Sequence, residues 1–237
     1  MKLAIALFAK WPAAGRTKTR LIPALGEQGA ADFARYLLLS RLQNVQRWSN
    51  LMFKGSQPTR AVDVSVKVWT DGGSPEHWQA LLGPQVSTAV QVPGHLGQRM
   101  GAAVQHHLKH TDAVLLLGTD AVCFSASHLQ AMLDQLHGNV PVVFAPANDG
   151  GYVAALCAGH VPAMFGGNID WGTASVLSTS LRLLKEAGYA APCIEVQLDV
   201  DEPADLQQAL DEGWVPGDWA TLFDERGDRG QYDVSDD

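Results

Sequence analysis

A chain of 237 residues, 46% of them hydrophobic and 18% charged, is long enough for one large α/β domain with its own core. Its net charge of −8 argues against a general nucleic-acid binder, which carries a basic excess. No apolar stretch approaches the roughly 20 residues of a membrane span, and Cys123, Cys157 and Cys193 form no C-x-x-C pair, which fits a reducing, cytoplasmic setting without structural zinc.

Leu3 to Phe8 is an apolar run that reads as a buried first strand, too short for a signal peptide and ended by Lys10-Trp11-Pro12. The next segment places Lys10, Arg16, Lys18 and Arg20 around Pro12 and Gly15, so it is a cationic loop. Between the first strand and first helix of an α/β protein, such a loop is suited to phosphates. Backbone N–H groups and the helix N-terminus add to the side-chain charges there. Neither G-x-x-x-x-G-K-[ST] nor G-x-G-x-x-G occurs, so the loop is neither a P-loop nor a dinucleotide fingerprint.

Gly26 to Trp48 repeats apolar residues near a 3.6-residue period and predicts an amphipathic helix, followed by a loop over Asn50–Arg60. Val62 to Trp69 alternates as a second strand, Ser74-Pro75 opens a short helix, and Val86 to Val92 reads as a short strand. Pro93 to Met100 is a glycine-punctuated loop leading into a helix through about Lys109. Ala113 to Leu117 is fully apolar and runs into Gly118-Thr119-Asp120, the pattern of a central parallel strand ending in a functional turn. A helix over Ser125–His137 follows. Strands over Val140–Ala145 and Tyr152–Cys157 are joined by a glycine turn that suits an antiparallel pair.

Trp171 to Ala187 reads as a helix, Ile194 to Leu198 as a late strand and Ala204 to Leu210 as a short helix. Alternating strands and helices imply an α/β fold, with a mostly parallel sheet covered on both faces. Residues 1–212 form one domain in this reading, and 213–237 a loosely held acidic tail.

Three carboxylate groups stand at strand exits, where open α/β sheets bind ligands. Asp120 is placed to coordinate Mg²⁺ or Mn²⁺, or simply to form a turn. Asp149, in Asn148-Asp149-Gly150-Gly151, either serves a hairpin or lies where glycines let backbone approach a ligand. Asp199 and Asp201 are candidate metal ligands or the start of the following helix. Trp171-Gly172-Thr173 opens a helix with Thr173 as cap and Trp171 in the core, or walls an acceptor pocket. His106, His107 and His110 lie on one helix, His106 and His110 at i, i+4 spacing but with no H-E-x-x-H pattern, and read as a solvated face. Cations opposite carboxylates suit transfer chemistry on a nucleotide diphosphate.

The order Phe8-Ala9-Lys10-Trp11-Pro12, Gly15, Lys18-Thr19-Arg20-Leu21, Gly94–Met100, Gly118-Thr119-Asp120, Asp149-Gly150-Gly151-Tyr152, Trp171-Gly172-Thr173 and Leu198-Asp199-Val200-Asp201 resembles a bacterial family. It is that of the rSAM/selenodomain-associated transferases, glycosyltransferase-like proteins of the GT-A (nucleotide-diphospho-sugar transferase) fold. The resemblance covers about residues 1–210. It implies a Rossmann-like, three-layer α/β/α fold with a mostly parallel mixed sheet and a divalent metal near Asp120. A nucleotide or nucleotide sugar would lie on the first loop, facing a small-molecule acceptor. Family patterns carry G-S/T-D-C-P and G-D-L-G-E-R-M, where this chain has Ala121-Val122 after Asp120 and His95 and Gln98 in place of two acids.

The resulting expectation is a metal-dependent glycosyl transferase. Lys10, Gly15, Arg16, Lys18, Thr19, Arg20, Gly97 and Arg99 bind the nucleotide, Asp120 and Asp149 are catalytic, and Asp120, Asp199 and Asp201 hold Mg²⁺ or Mn²⁺. One alternative is a nucleotidyltransferase joining a nucleoside triphosphate to a phosphorylated small molecule, since the K-T-R-L loop also resembles that of phospholactate guanylyltransferases. The other is a nucleotide-binding protein whose catalysis is impaired by the exchanges at His95 and Gln98.

Overall fold

The computed structural model describes residues 1–54 and 62–221. Strands β1 (Lys2–Lys10), β2 (Asp63–Asp71), β3 (Thr88–Val90), β4 (Ala113–Gly118), β5 (Val142–Pro146) and β6 (Tyr152–Cys157) form one sheet in the order β3-β2-β1-β4-β6-β5. The pairs β1–β2, β1–β4 and β2–β3 are parallel, whereas β6 runs antiparallel to both β4 and β5. The expected glycine-turn hairpin is therefore β5–β6.

The period-2 pattern of β1 explains its central position. Leu3, Ile5 and Leu7 join one core cluster and Ala4 and Ala6 another, all fully buried. Helices α1 (Ile22–Lys54), α2 (Pro75–Leu82) and α4 (Ala126–Gln135) feed Leu38, Leu42, Trp78, Leu129 and Met132 into the first cluster. Helices α3 (Leu96–His107) and α5 (Val176–Glu186) feed Met100, Val104 and Leu184 into the second. The outcome is three layers, helices on both faces of a mostly parallel sheet. Helix α6 (Pro203–Asp211) closes a third cluster with Leu21, Phe33 and Val200.

Several boundaries differ from expectation. Helix α1 starts before Gly26, whose φ of 73° and ψ of 171° break it, and it continues to Lys54, inside the segment expected as a loop. The rest of that expected loop, 55–61, lies outside the described residues. Helix α5 begins only at Val176, because Gly172 takes a left-handed φ of 85° and Thr173 Oγ1 donates to the Asp170 carbonyl instead of capping a helix.

The strand expected at Ile194–Leu198 is an extended strip with isolated bridges, Cys193 to Phe144, Gln197 to Ala147 and Asp199 to Ala121. A register shift at Ala145/Pro146 interrupts the ladder beside it, and Pro146 has no N–H to offer. After Gly213 the chain is not loose as far as it is described. Val215 is buried, its N–H bonds the Ala209 carbonyl, and the Trp219 ring packs 4.9 Å from Phe33. The remainder of the expected tail, 222–237, lies outside the described residues. No helix among the described residues is long and apolar enough to cross a membrane.

Strand order reverses between β1 and β4: the chain moves outward from β1 to β2 and β3, then returns to the other side of β1. At such a switch point the loops leaving the strand C-termini part in opposite directions and open a crevice.

Candidate active site

The loop after β1 is rolled up by its own backbone and by Thr17. Thr17, which is buried, donates its hydroxyl to the Trp11 carbonyl at 2.8 Å and accepts the Ala13 N–H at 3.3 Å. Lys10 Nζ reaches across to the Arg16 carbonyl at 2.9 Å. The loop ends in a 3₁₀ turn at Thr19–Leu21, entered through Lys18 at φ 48°, ψ 45°. Lys18 is the one non-glycine with left-handed φ among the described residues. That conformation costs on the order of 1–2 kcal/mol for a residue with a Cβ.

Lys18 Nζ compensates with three hydrogen bonds of 2.7 Å, to Asp120 Oδ2, Asp201 Oδ1 and the Val200 carbonyl. Its side chain is only 9% exposed. Asp120 arrives just past β4, and a bridge from Ala121 to Asp199 fastens the 197–201 segment against it. Single oxygens of Asp120, Asp199 and Asp201 lie within 4.8 Å of one another. The three acids expected to act together are thus brought together, across roughly 80 positions of sequence.

Burial opposes the charge on Lys18, but Asp120, Asp201 and Asp199 outweigh it and hold the ammonium above the ordinary lysine range. Burial likewise opposes ionisation of Asp120, yet the Lys18 ammonium draws its carboxyl below the usual value. Asp199 goes the other way. Burial and the neighbouring Asp120 charge push it well above the carboxylate range, and its Oδ1 is buried without a hydrogen-bond partner. An orphaned carboxylate oxygen beside two further acids is an electrostatic demand for a cation.

Sequence reasoning missed a second cation behind the cluster. Arg41 is buried, donates to the Phe124 carbonyl at 2.5 Å and lies 5.7 Å from the Trp48 ring centroid. Burial lowers its pKa to about 10, and its charge helps keep Asp120 ionised. On α1 it reads as an ordinary polar position, and only tertiary packing places it there.

A cavity of about 450 Å³ opens in front of Lys18. Of the expected nucleotide-binding residues, Lys10, Arg16, Lys18, Thr19, Arg20 and Arg99 line it, together with Asp120 and Asp201. Arg99 is engaged already, donating to Asp71 Oδ2 at 2.9 Å and to the Gly94 carbonyl at 2.9 Å. Asp71 and Gln91 also line this cavity and were not singled out. Asp71 ends β2, so the strand-exit argument used for Asp120 could have found it.

Gly15 and Gly97 are not on the cavity wall. A Cβ on Gly97 would come within 2.4 Å of Trp171 Cζ2 and 2.7 Å of the Phe165 carbonyl, so this glycine lets helix α3 approach Trp171 and Phe165. His95 and Gln98 have a structural job as well. His95 Nδ1 accepts the Gln98 N–H at 3.4 Å and Gln98 Oε1 accepts the His95 N–H at 3.1 Å, which is a capping box at the start of α3. Asp and Glu at those positions would satisfy the same two N–H groups.

Asp149 is exposed at the β5–β6 turn, where its Oδ1 accepts the Gly151 N–H at 2.8 Å. Its charge still reaches Asp199 and contributes to raising that carboxyl. Gly150, at φ 89°, admits backbone: a Cβ there would stand 2.3 Å from the Ala174 carbonyl. A smaller cavity of about 170 Å³ also reaches Asp120, bounded by Phe8, Leu96, Met100, Tyr152 and Asp199.

The relationships of the chain agree with this geometry. Residues 56–173, about half of the chain, match the bacterial family described as "Uncharacterized protein conserved in bacteria (DUF2064)". No curated protein matches the sequence. Among solved structures, a protein of Desulfovibrio desulfuricans G20, provisionally assigned as a nucleotide-diphospho-sugar transferase, is 26% identical with a TM-score of 0.73, covering 92% of each chain. A nucleotidyl transferase from Methanothermobacter thermautotroptrophicus shares the fold at 15% identity and a TM-score of 0.55, over 89% of this chain and 96% of that one. CMP:2-keto-3-deoxy-manno-octonic acid synthetase, solved with CTP, shares it at 13% identity and 0.52, over 88% and 97%. The fold is that of nucleotidyltransferases and GT-A-like proteins, and residues 56–173 match the DUF2064 family.

Proposed function

We propose that the chain is a divalent-metal-dependent transferase acting on a nucleotide-activated donor, with glycosyl transfer from a nucleotide sugar as its reaction. One observation carries the reading: Asp120, Asp199 and Asp201 converge, and two of them, Asp120 and Asp201, line the same cavity as Lys10, Arg16 and Arg20. Lys10 and Arg16 have no ion pair among the described residues, so their charge is available to a diphosphate. The similarity to the Desulfovibrio protein supports a nucleotide-sugar donor over other activated groups.

The donor set fits Mg²⁺ or Mn²⁺. All three candidate ligands are hard carboxylate oxygens, and one of them, on Asp199, is buried and unpartnered. A bound metal would supply charge stabilisation for the departing diphosphate. The protein's own part is positioning. Lys10, Arg16 and Arg20 hold the phosphates against the strand ends, and the 170 Å³ recess beside Asp120 takes the acceptor. In glycosyl transfer the acceptor hydroxyl oxygen forms a bond to the anomeric carbon, the carbon–oxygen bond to diphosphate breaks with its electron pair staying on the nucleoside diphosphate, and the hydroxyl proton passes to that leaving group or to solvent. Asp149, whose charge reaches Asp199 from the β5–β6 turn, orients the acceptor in this reading.

Thermal-shift measurements with a panel of nucleotides and nucleotide sugars, with and without Mn²⁺, test the premise. Stabilisation by a nucleotide sugar that strengthens with Mn²⁺ is expected, and no stabilisation by any of them sinks it. A second reading, nucleotidyl transfer, draws support from the number of cations on the wall, since Lys10, Arg16, Lys18 and Arg20 together match a triphosphate. Release of pyrophosphate instead of nucleoside diphosphate would select it. His95 and Gln98, whose exchange for acids motivates the impaired-protein reading, form a helix cap, and metal-independent nucleotide binding in the same thermal-shift panel would select that reading.

A further inference from the structure

Resting on the metal-dependent reading above, we propose that Lys18 is a displaceable internal cation. Its ammonium neutralises the Asp120–Asp201 pair in the unliganded protein and competes there with a divalent ion. It turns to the phosphates when a nucleotide arrives, so metal binds tightly only together with phosphate.

Hydrogen-bond accounting carries the argument. A lysine ammonium has three donors. All three are spent at 2.7 Å on Asp120, Asp201 and the Val200 carbonyl, leaving none for a phosphate while the side chain lies this way. Yet Lys18 stands on the wall of the cationic cavity, between Thr17 and Thr19, with Lys10, Arg16 and Arg20 on the same wall. Its flexible four-carbon stem is long enough to aim the charge at either group.

Two cations bound to the same carboxylates stand within about 4 Å of each other and repel strongly in a partly buried site. Occupation of the cluster by a dication and by this ammonium therefore compete. Asp199 shows what the lysine fails to satisfy, since its buried Oδ1 has no partner and none of the three Lys18 hydrogen bonds goes to it. The ammonium serves two acids of three. The left-handed backbone of Lys18 points the same way, because a strained conformation persists only while surrounding contacts hold it. Release of the ammonium from the acids removes those contacts.

The test is titration of Mn²⁺ alone into the full-length wild-type protein and into Lys18→Met, by calorimetry. The expected result is at least a tenfold tighter Mn²⁺ Kd in Lys18→Met, and loss of that gain in Lys18→Met/Asp199→Asn. Equal affinity in wild type and Lys18→Met overturns the competition while leaving the metal site standing. No Mn²⁺ binding by either protein overturns both the proposal and the metal-dependent reading. Lysine labelling of wild-type protein with peptide mass spectrometry gives the same answer should Lys18→Met fail to fold. Lys18 is expected to be protected without metal and several-fold more reactive at saturating Mn²⁺, and unchanged protection overturns the exchange.

Discussion

The Lys10–Leu21 loop and the Gly94–Met100 turn border one cavity, and both stand out in the sequence by charge and glycine. Lys18 in the first and the His95–Gln98 pair in the second are satisfied in opposite ways. In the first, Lys18 finds its partners 102 and 183 residues away and holds a strained backbone to do so. In the second, His95 and Gln98 satisfy each other three residues apart, and Gly97 closes a packing contact. The contrast teaches where function is stored. Groups satisfied locally have completed their task in building a helix end, whereas long-range charges crowded against an unpartnered oxygen retain free energy that a ligand can use.

The most severe way to break this contrast is Asp120→Asn. It removes a candidate metal ligand, and turnover should fall on the order of 10²-fold or more. It also leaves the Lys18 ammonium with one acid fewer, lowering stability by about 2–3 kcal/mol. Steady-state assays and denaturant unfolding read the two effects separately, and unimpaired turnover would remove Asp120 from the site. Gly97→Ala comes next. Its Cβ meets a backbone carbonyl that cannot yield, so a loss of about 1–3 kcal/mol in unfolding free energy is expected. Were nucleotide affinity to change with stability untouched, Gly97 would belong to the site after all.

Asp199→Asn should act in the other direction. Its carboxyl pKa is raised in the folded protein, so folding binds more protons than the unfolded chain. The associated stability is present at low pH and lost as pH rises from the ordinary carboxylate range through the folded value. The amide does not ionise, so thermal unfolding at neutral and mildly alkaline pH should move up by a few degrees and its pH dependence should flatten. A lower Tm at neutral pH would refute the assignment of strain to this group. The smallest effect is expected for His95→Asp combined with Gln98→Glu. The cap persists and acids at a helix N-terminus add about 0.3–1 kcal/mol each. Mn²⁺ affinity should stay the same, and a large gain in it would return these positions to the metal site.

Much of this was legible in the chain. The apolar run of β1, the all-apolar β4 and the glycine turn between β5 and β6 follow from side-chain character and turn chemistry, which act over a few residues. The acids at strand exits were legible for the same reason, since a strand's end is a local event. The Ile194–Leu198 strand was misread because its pairing partners, Phe144 and Ala147, lie some 50 residues earlier and meet it only in isolated bridges. Asp71 was legible but passed over, and Arg41 was not legible at all.

Sequence by itself therefore determined the alternation of elements, the cationic character of the first loop and the carboxylates that end the strands. Only tertiary structure decided that Lys18 faces those carboxylates with every donor used, that Asp199 keeps a buried oxygen unpaired, and that Gly97 and His95 serve packing and capping. The physical reason is range. Backbone preference and amphipathic period are set by near neighbours, whereas the charge state of a buried group is set by whatever the fold brings within a few ångströms of it.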